Sequence, residues 1–385
     1  MKKRSINYGR QSISGEDIQH VLNVLESDFL TQGPLIEAFE KALCDYTGAR
    51  YCVVVSSGTA ALHLAVKALD IEEGLQGMTS PISFVASANC MVYNRLIPGF
   101  ADIDAKTVCL DPDALAEKVN GKTRLVIPVH FSGYPCDMAA IQKIGKKHGL
   151  YIIEDAAHAI GSTYPGSGRV GNCRYSDMTV FSFHPVKTIT TGEGGAITTN
   201  SEKLYKKLKE LANHGIVRDR SDFQKNVSGP VEPWYYEMKR LGYNYRMTDL
   251  QCALGISQLS RIDRFLKRRA EIAGIYDDRL RGLESLRLPL FPPAGSSSCH
   301  IYVVQLVGRD RLAVFNRLKD LGIHANVHYI PIHLQPYYQK RFGYREGDFP
   351  VAEKYYQSAL TLPLYPEMTP DDVDFVIDGI TQVLD

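Results

Sequence analysis

Between residues 51 and 199 the chain alternates short apolar runs with amphipathic ones, and that alternation constrains the fold more than any other feature. YCVVV (51–55) and the segments near 97–102, 124–131, 150–155 and 178–183 read as strands bounded by turn residues. Between them lie helical patterns such as DMAAIQKIGKKHG, in which Met138, Ile141 and Ile144 share one face. Strands that alternate with helices pair mostly in parallel and are covered on both faces. The expected fold class is therefore α/β, with a mostly parallel central sheet and helices on either side.

The flanks follow other rules. Ser14 with Asp17 three residues on reads as a capped helix start, and Ile18, Val21, Leu22 and Leu25 supply its apolar face. A second helix carries Ile36, Phe39 and Leu43 and ends near Gly48. Residues 215–233 lose all periodicity and read as a flexible loop, a lid or a dimer contact. Thr248 and Asp249 open one long helix to about Arg281, with Leu250, Leu254, Leu259, Ile262 and Phe265 along its stripe. After LPLFPPAGSSS come a strand (HIYVVQLV), a helix, a second strand around NVHYI, and a last helix from Thr369 and Pro370. This predicts an N-terminal arm over 1–13, a large domain over 14–255 and a smaller C-terminal α+β domain over 256–385.

Composition excludes several functions. Among 385 residues, 44 basic and 43 acidic side chains leave a net charge of +1, so neither nucleic acid nor an anionic membrane is an expected partner. No apolar run is long enough to cross a bilayer, and no apolar stretch follows the basic start MKKRS, which predicts no export signal. The eight cysteines form no CxxC pair or metal cluster, so no metal site is expected, and they read as core thiols in a reducing cytoplasm.

The chemistry concentrates at residues 179–200, TVFSFHPVKTITTGEGGAITTN. A strand-like run delivers Lys187 into a loop of small and hydroxylic residues before a second strand, Ala196 to Thr199. A lysine between two buried strands is costly unless its amine is neutral or covalently used, and Schiff-base chemistry is the commonest reason to place one there. The alternative is a loop lysine in water. Asp155 ends the strand LYIIED, at the edge where open α/β sheets bind ligands, or else caps a following helix. In SSGTAAL, Gly58 and Thr59 form a strand-to-helix turn that suits a phosphate, although a turn needing only a cap looks the same.

Taken together, EDAAH (154–158), SFHPVK (182–187), TGEGGA (191–196) and GYNYRMTDLQ (242–251) resemble the DegT/DnrJ/EryC1/StrS sugar aminotransferases, which are similar in turn to fold-type I enzymes using pyridoxal 5′-phosphate (PLP). The resemblance runs from QSISGEDI to LPLYPEMT. It implies that Lys187 bonds the cofactor, Asp155 holds the pyridine nitrogen, and His158, in place of a more usual glutamine, sits near the ring oxygen. It also implies phosphate contacts from Gly58, Thr59 and Ser182, and stacking of Phe84 on the ring face opposite the lysine. Asn244 matches an asparagine that reaches the phosphate of the neighbouring subunit, which implies a homodimer with shared active sites. Tyr8, Thr31, Gln32, Gly33, His328 and Tyr329 are carried towards a nucleotide sugar. On the residues alone, Phe84 reads as core and His328 with Tyr329 as a packed, hydrogen-bonded pair.

Within the family, PISFVASAN (81–89) and FSFHPVKTITTGEGGA (181–196) are most similar to the 4-aminotransferases of pseudaminic acid biosynthesis. This implies transfer of the amino group of L-glutamate to C4 of a UDP-linked 4-keto-6-deoxy-N-acetyl-hexosamine of the L-altro form. The alternatives are a sister 4- or 3-aminotransferase of a D-gluco-type keto sugar, or a non-catalytic sugar-nucleotide-binding regulator, which would be expected to have lost Lys187 or Asp155. The related dehydratase branch has histidine in place of the lysine.

Overall fold

The structure is a computed structural model that describes residues 4–225, 230–292 and 295–385. Seven strands build the central sheet: β1 (Tyr51–Val55), β2 (Gln76–Thr79), β3 (Ile97–Phe100), β4 (Thr123–Ile127), β5 (Tyr151–Asp155), β6 (Met178–Ser182) and β7 (Gly195–Thr199). Their order is β1-β7-β6-β5-β4-β2-β3. All neighbours are parallel except those of β7, which runs antiparallel to both β1 and β6. A parallel return needs a crossover, usually helical. The loop 183–194 holds no helix, so β7 turns straight back and leaves Lys187 at the C-terminal edge of β6.

One strand was not legible. QGMT in β2 has glycine where a β-branched residue would advertise a strand. A Cβ at Gly77 would stand 2.5 Å from Met91 Sδ, so the helix Ala86–Tyr93 packs where only glycine fits.

Several expected boundaries shift. The helix Gly15–Leu25 has its Ser14–Asp17 capping box, but Ile18, Leu22 and Leu25 are 54%, 43% and 55% exposed. Asp17 and Val24 face inward instead. The cause is Asp17, which accepts hydrogen bonds from Ser257 Oγ (2.7 Å) and Gln258 Nε2 (3.0 Å) and pairs with Arg261. The single helix expected to about Arg281 is two, Asp249–Ser260 and Ile262–Leu280. They break at Arg261, whose backbone leaves the helical region (φ −106°, ψ 6°) and whose guanidinium bonds Asp17 and lies over Phe265.

The C-terminal part carries an antiparallel sheet of β8 (Leu286–Arg287), β9 (Tyr302–Leu306) and β10 (Ala359–Leu362). The strand expected around NVHYI does not form. Asn326 bridges Thr361, and the backbone oxygen of His328 accepts from Tyr355 Oη (3.1 Å), so a side chain replaces a ladder partner there. The N-terminal arm is tied down: Ile6–Asn7 pairs in parallel with Ile323–His324, and Tyr8 O accepts from the Leu364 N–H at 3.1 Å. Of the expected loop 215–233, Ile216–Val217 pairs with Glu237–Met238, and residues 226–229 lie outside the described residues, as do residues 293–294 of LPLFPPAGSSS.

Buried apolar side chains form two cores. One, with Phe39, Leu64, Met78 and Phe181, covers the large sheet; the other, with Tyr276, Tyr302, Leu318 and Val376, lies under the small one. The helix Ile262–Leu280 gives Ile262 and Phe265 to the first and Ile272, Tyr276 and Leu280 to the second.

Burial alone would raise the Asp17 carboxyl, but the Ser14 and Ser257 donors and the Arg261 charge outweigh it and hold it below the usual carboxylate range. A carboxylate whose folded pKa is depressed stabilises fully above its unfolded value, about 4, and loses that contribution as pH falls through the folded one. Asp17→Asn should cost about 3 kcal/mol at pH 7, and the gap to the parent should close in acid. Urea unfolding of both proteins at pH 7 and at pH 3 checks this; an equal gap at both would assign the cost to shape.

Candidate active site

β5 and β6 end side by side, and the turn after β1 meets them at the same edge. A cavity of about 550 Å³ opens there and reaches to residues 326–329 of the C-terminal part. Its wall brings together Tyr8, Gly58, Thr59, Phe84, Asp155, His158, Ser182, Lys187, His328 and Tyr329, residues drawn from six separate stretches of sequence.

One end is built for an anion. Ser57 caps the helix Gly58–Ala68 by accepting the Ala60 N–H at 3.0 Å, which leaves the first turn, at the positive end of the helix dipole, on the cavity wall. A Cβ on Gly58 would lie 2.8 Å from Ser182 Cβ, and one on Gly195 would lie 2.5 Å from the Ser57 oxygen. These glycines let β6 and β7 close around the turn. The resulting cup has N–H and hydroxyl donors from Gly58, Thr59 and Ser182, the donor set that a phosphate requires.

Asp155 sits at the centre, 5% exposed. Its Oδ2 accepts from Ser87 Oγ at 2.6 Å and its Oδ1 from the Ala157 N–H at 3.1 Å. Turns rather than a helix follow it, which removes the helix-cap alternative. Successive strand residues face opposite ways, so Glu154 points to the other side of the sheet, where His130 Nε2 (2.8 Å), Thr179 Oγ1 (3.1 Å), Ser176 and Tyr164 bond it. Burial would raise the Glu154 carboxyl, and these donors, led by His130, bring it below the usual range. The strand end is thus anchored on both faces.

Lys187 follows a tight turn in which its N–H meets the His184 oxygen at 2.9 Å. Burial pushes the amine down to about 8, against the opposing pull of Asp155. His158 is buried; Nδ1 accepts the Ser132 N–H at 3.3 Å, and Nε2 faces Tyr329 Oη at 3.1 Å. Burial, then the Lys187 charge, holds it well below an ordinary histidine. It is therefore neutral, with its one proton on Nε2 and directed at Tyr329. His328 Nδ1 meets Thr361 Oγ1 at 2.8 Å, and burial takes this imidazole down to about 3. Tyr8 lies against it, ring centroids 5.4 Å apart. Phe84 is 59% exposed on the rim, with its ring 6.4 Å from that of Tyr329, so it is not a core residue.

Four expected residues lie elsewhere in the chain. Thr31 bridges Thr248, and Gln32 and Gly33 line a separate cavity of about 430 Å³ beside Arg246. The Gly33 N–H is held by Asp249 Oδ2 at 2.8 Å. Asn244 is exposed and bridges Asn213. Three wall or support residues had not been singled out: Ser87, Ser132 and His300. Ser87 was visible in hindsight as the partner of Ser83 one helical turn earlier (2.6 Å); the other two are brought in by chain crossings that carry no local signal. Among the described residues no His/Cys/Asp/Glu group could hold a metal ion.

This donor set fits PLP. A cup of neutral donors stands at one end, a buried carboxylate for a pyridinium at the other, and an amine of lowered basicity and an exposed aromatic ring between them.

The family model for the DegT/DnrJ/EryC1/StrS aminotransferase family matches residues 11–381, and the chain belongs to that family. The spore coat polysaccharide biosynthesis protein SpsC of Bacillus subtilis is 43% identical over 385 residues, covering 98% of this chain and 96% of the relative. Among solved structures, Helicobacter pylori PseC, an aminotransferase involved in pseudaminic acid biosynthesis, superposes with a TM-score of 0.91 at 30% identity over 99% of both chains. The sugar aminotransferase Spr1654 of Streptococcus pneumoniae in its PMP form gives 0.91 at 29% identity, covering 99% of this chain and 98% of that one.

A lysine is nucleophilic only as the neutral amine, and burial extends that state to lower pH. Cofactor-free protein should capture PLP at Lys187 with a rate that rises through a midpoint near pH 8, not near the value of about 10.4 for a free side chain. Stopped-flow absorbance across pH 6–11 reads this; a midpoint at the free-lysine value would mean that the amine is solvated.

Proposed function

We propose that this chain is a PLP-dependent aminotransferase that moves the amino group of L-glutamate to C4 of a UDP-linked 4-keto-6-deoxy-N-acetyl-hexosamine of the L-altro form, a step of pseudaminic acid biosynthesis. The observation that carries the reading is the meeting of Lys187, Asp155 and the Gly58–Thr59–Ser182 cup in one cavity. PLP, when bound, supplies an electron-withdrawing ring that stabilises charge at the carbon losing its proton. The chain supplies the rest. The carboxylate of Asp155 holds a proton on the pyridine nitrogen. Lys187 Nζ, with its amine lowered to about 8, takes a proton from the glutamate carbon in one half of the cycle and delivers one to C4 of the sugar in the other. Phe84 covers one ring face. Tyr8, His328 and Tyr329 line the side from which a sugar approaches, and the buried histidines near Lys187, His158, His300 and His328, are neutral.

The choice of sugar is supported by the wording of residues 81–89 and 181–196 and by similarity to PseC over the whole chain. A second reading has its own support. SpsC is 43% identical against 30% for PseC, which favours a sister aminotransferase making a different amino sugar for a surface polysaccharide. Stereochemistry at C5 separates the two. Lys187 delivers its proton from one fixed face, and a well-placed donor is worth about a hundredfold in rate. With glutamate as donor, kcat/KM should favour the L-altro ketone over its D-gluco epimer by about that factor. Equal rates, or preference for the D-gluco ketone, would move the protein to the sister reading.

We also place it as a cytoplasmic homodimer with shared sites. Asn244, Thr31, Gln32 and Gly33 do not line their own chain's cavity, Ile18, Leu22, Leu25, Phe29 and Leu30 are exposed, and the eight cysteines are unpaired. In this reading Asn244 reaches the phosphate of the second copy. Mixing inactive Lys187→Ala and inactive Asn244→Ala proteins should restore activity through heterodimers with one intact site. No recovery, with subunit exchange demonstrated by mass, would remove the shared site.

A further inference from the structure

Among the described residues, His300 is the one buried wall residue of the cavity whose ring has no hydrogen bond to the protein. Its backbone is pinned: the N–H donates to Ser132 O at 3.0 Å, and its oxygen accepts from Arg269 Nη1 at 2.9 Å. Arg269 also donates to Leu364 O at 3.0 Å, so this segment is clamped to the small domain. The imidazole is 4% exposed, lines the cavity and packs on His158 with centroids 4.5 Å apart. Nδ1 is fully enclosed without a partner, and among the described residues no bond reaches Nε2.

The location of its proton follows. Burial, with the charges of Lys187 and Arg269, keeps the ring well below an ordinary histidine, so it is neutral and carries one N–H. An enclosed N–H without an acceptor is rarer and more costly than an enclosed lone pair. Nδ1 therefore holds the lone pair and Nε2 the proton. His158 differs in that both its ring nitrogens have protein partners, Nδ1 the Ser132 N–H and Nε2 the Tyr329 hydroxyl.

We propose that His300 presents Nε2–H to an oxygen acceptor of a bound ligand beside Lys187, either the ring oxygen of the cofactor or a carboxylate or carbonyl oxygen of a substrate. The proposal rests on reading this cavity as the cofactor and substrate site. Parent protein is therefore measured alongside for PLP loading and glutamate turnover, and a parent that binds no PLP would sink that reading before His300 is judged.

Two variants test it in the holoenzyme. His300→Phe keeps a flat ring without a donor; His300→Gln places an amide N–H near the Nε2 position. If the acceptor is the cofactor's, His300→Phe should shift the visible absorption band and weaken PLP binding about tenfold, the worth of one hydrogen bond. If it is a substrate's, the band stays and KM for glutamate or the nucleotide sugar rises about tenfold instead. In either case His300→Gln should recover most of the loss. Unchanged spectrum, affinity and KM in folded His300→Phe, or equal damage in both variants, would overturn the proposal. Should His300→Phe fail to fold, ¹⁵N-histidine NMR of the unaltered protein decides, with the signal assigned by its loss in His300→Gln. An Nε2–H tautomer whose Nε2 resonance moves on addition of PLP or glutamate supports the assignment, and an Nδ1–H tautomer or an unmoved signal refutes it.

Discussion

Everything near the site depends on holding the Asp155 carboxyl group in place at the end of a buried strand. A carboxylate out of water survives only if donors replace its hydration. Ser87 and the Ala157 N–H do so from the cavity side, while the Glu154 network fixes the strand from behind. Two acidic residues in succession on a central strand look like an error of patterning. Because they face opposite sides of the sheet, each has its own set of donors, and the pair becomes a way of locking one position. The antiparallel return of β7 then sets Lys187 close enough for the Asp155 charge to oppose the loss of basicity that burial imposes on the amine.

The second constraint is mechanical. The cavity lies between two cores, and its wall is assembled from both: Asp155, Ser182 and Lys187 come from the large sheet, and His300, His328 and Tyr329 from the C-terminal part. The helix Ile262–Leu280 contributes to each core, and Arg269 on it holds the His300 and Leu364 carbonyls together. An arginine buried among carbonyls, with no carboxylate beside it, is expensive, and burial takes it down to about 10. Its placement is explained by what it joins, since both carbonyls belong to segments that have no ladder partners at those positions.

Where a pattern was local, the sequence disclosed it. The alternating segments predicted the parallel strands; Asp155 and the Gly58 turn were legible because one ends a strand and the other starts a helix, and Lys187 because its loop joins two strands. What was hidden depended on contacts between distant residues. Nothing near Ile18 and Leu22 says that Asp17, on another face of the helix, will be claimed by Ser257, Gln258 and Arg261. A stripe that reads as core was thereby turned to the surface. Likewise β2 was masked by a glycine that exists for Met91, and His300 became a wall residue only because the segment 297–301 crosses to Ser132.

The cavity's charge balance bears on how many chains a complete site needs. Burial and the Lys187 charge keep His158, His300 and His328 neutral, and among the described lining residues the only other basic side chain is His184 on the rim, with no arginine. Asp155 and Glu193 bring negative charge to the same wall. A phosphate dianion in the cup meets N–H and hydroxyl donors only, and a nucleotide diphosphate would add two more charges without a cation to meet them. Neutral donors give geometry, but an ionised partner makes a hydrogen bond roughly twice as strong. The separate cavity near Gln32 and Gly33 does not make up the deficit, because its Lys206, Lys209, Arg218 and Arg246 stand among Glu37, Glu40, Glu210, Asp219 and Asp222, and Lys209 pairs with Glu40. Neither hollow of a single chain thus offers a surplus of positive side chains to such an anion.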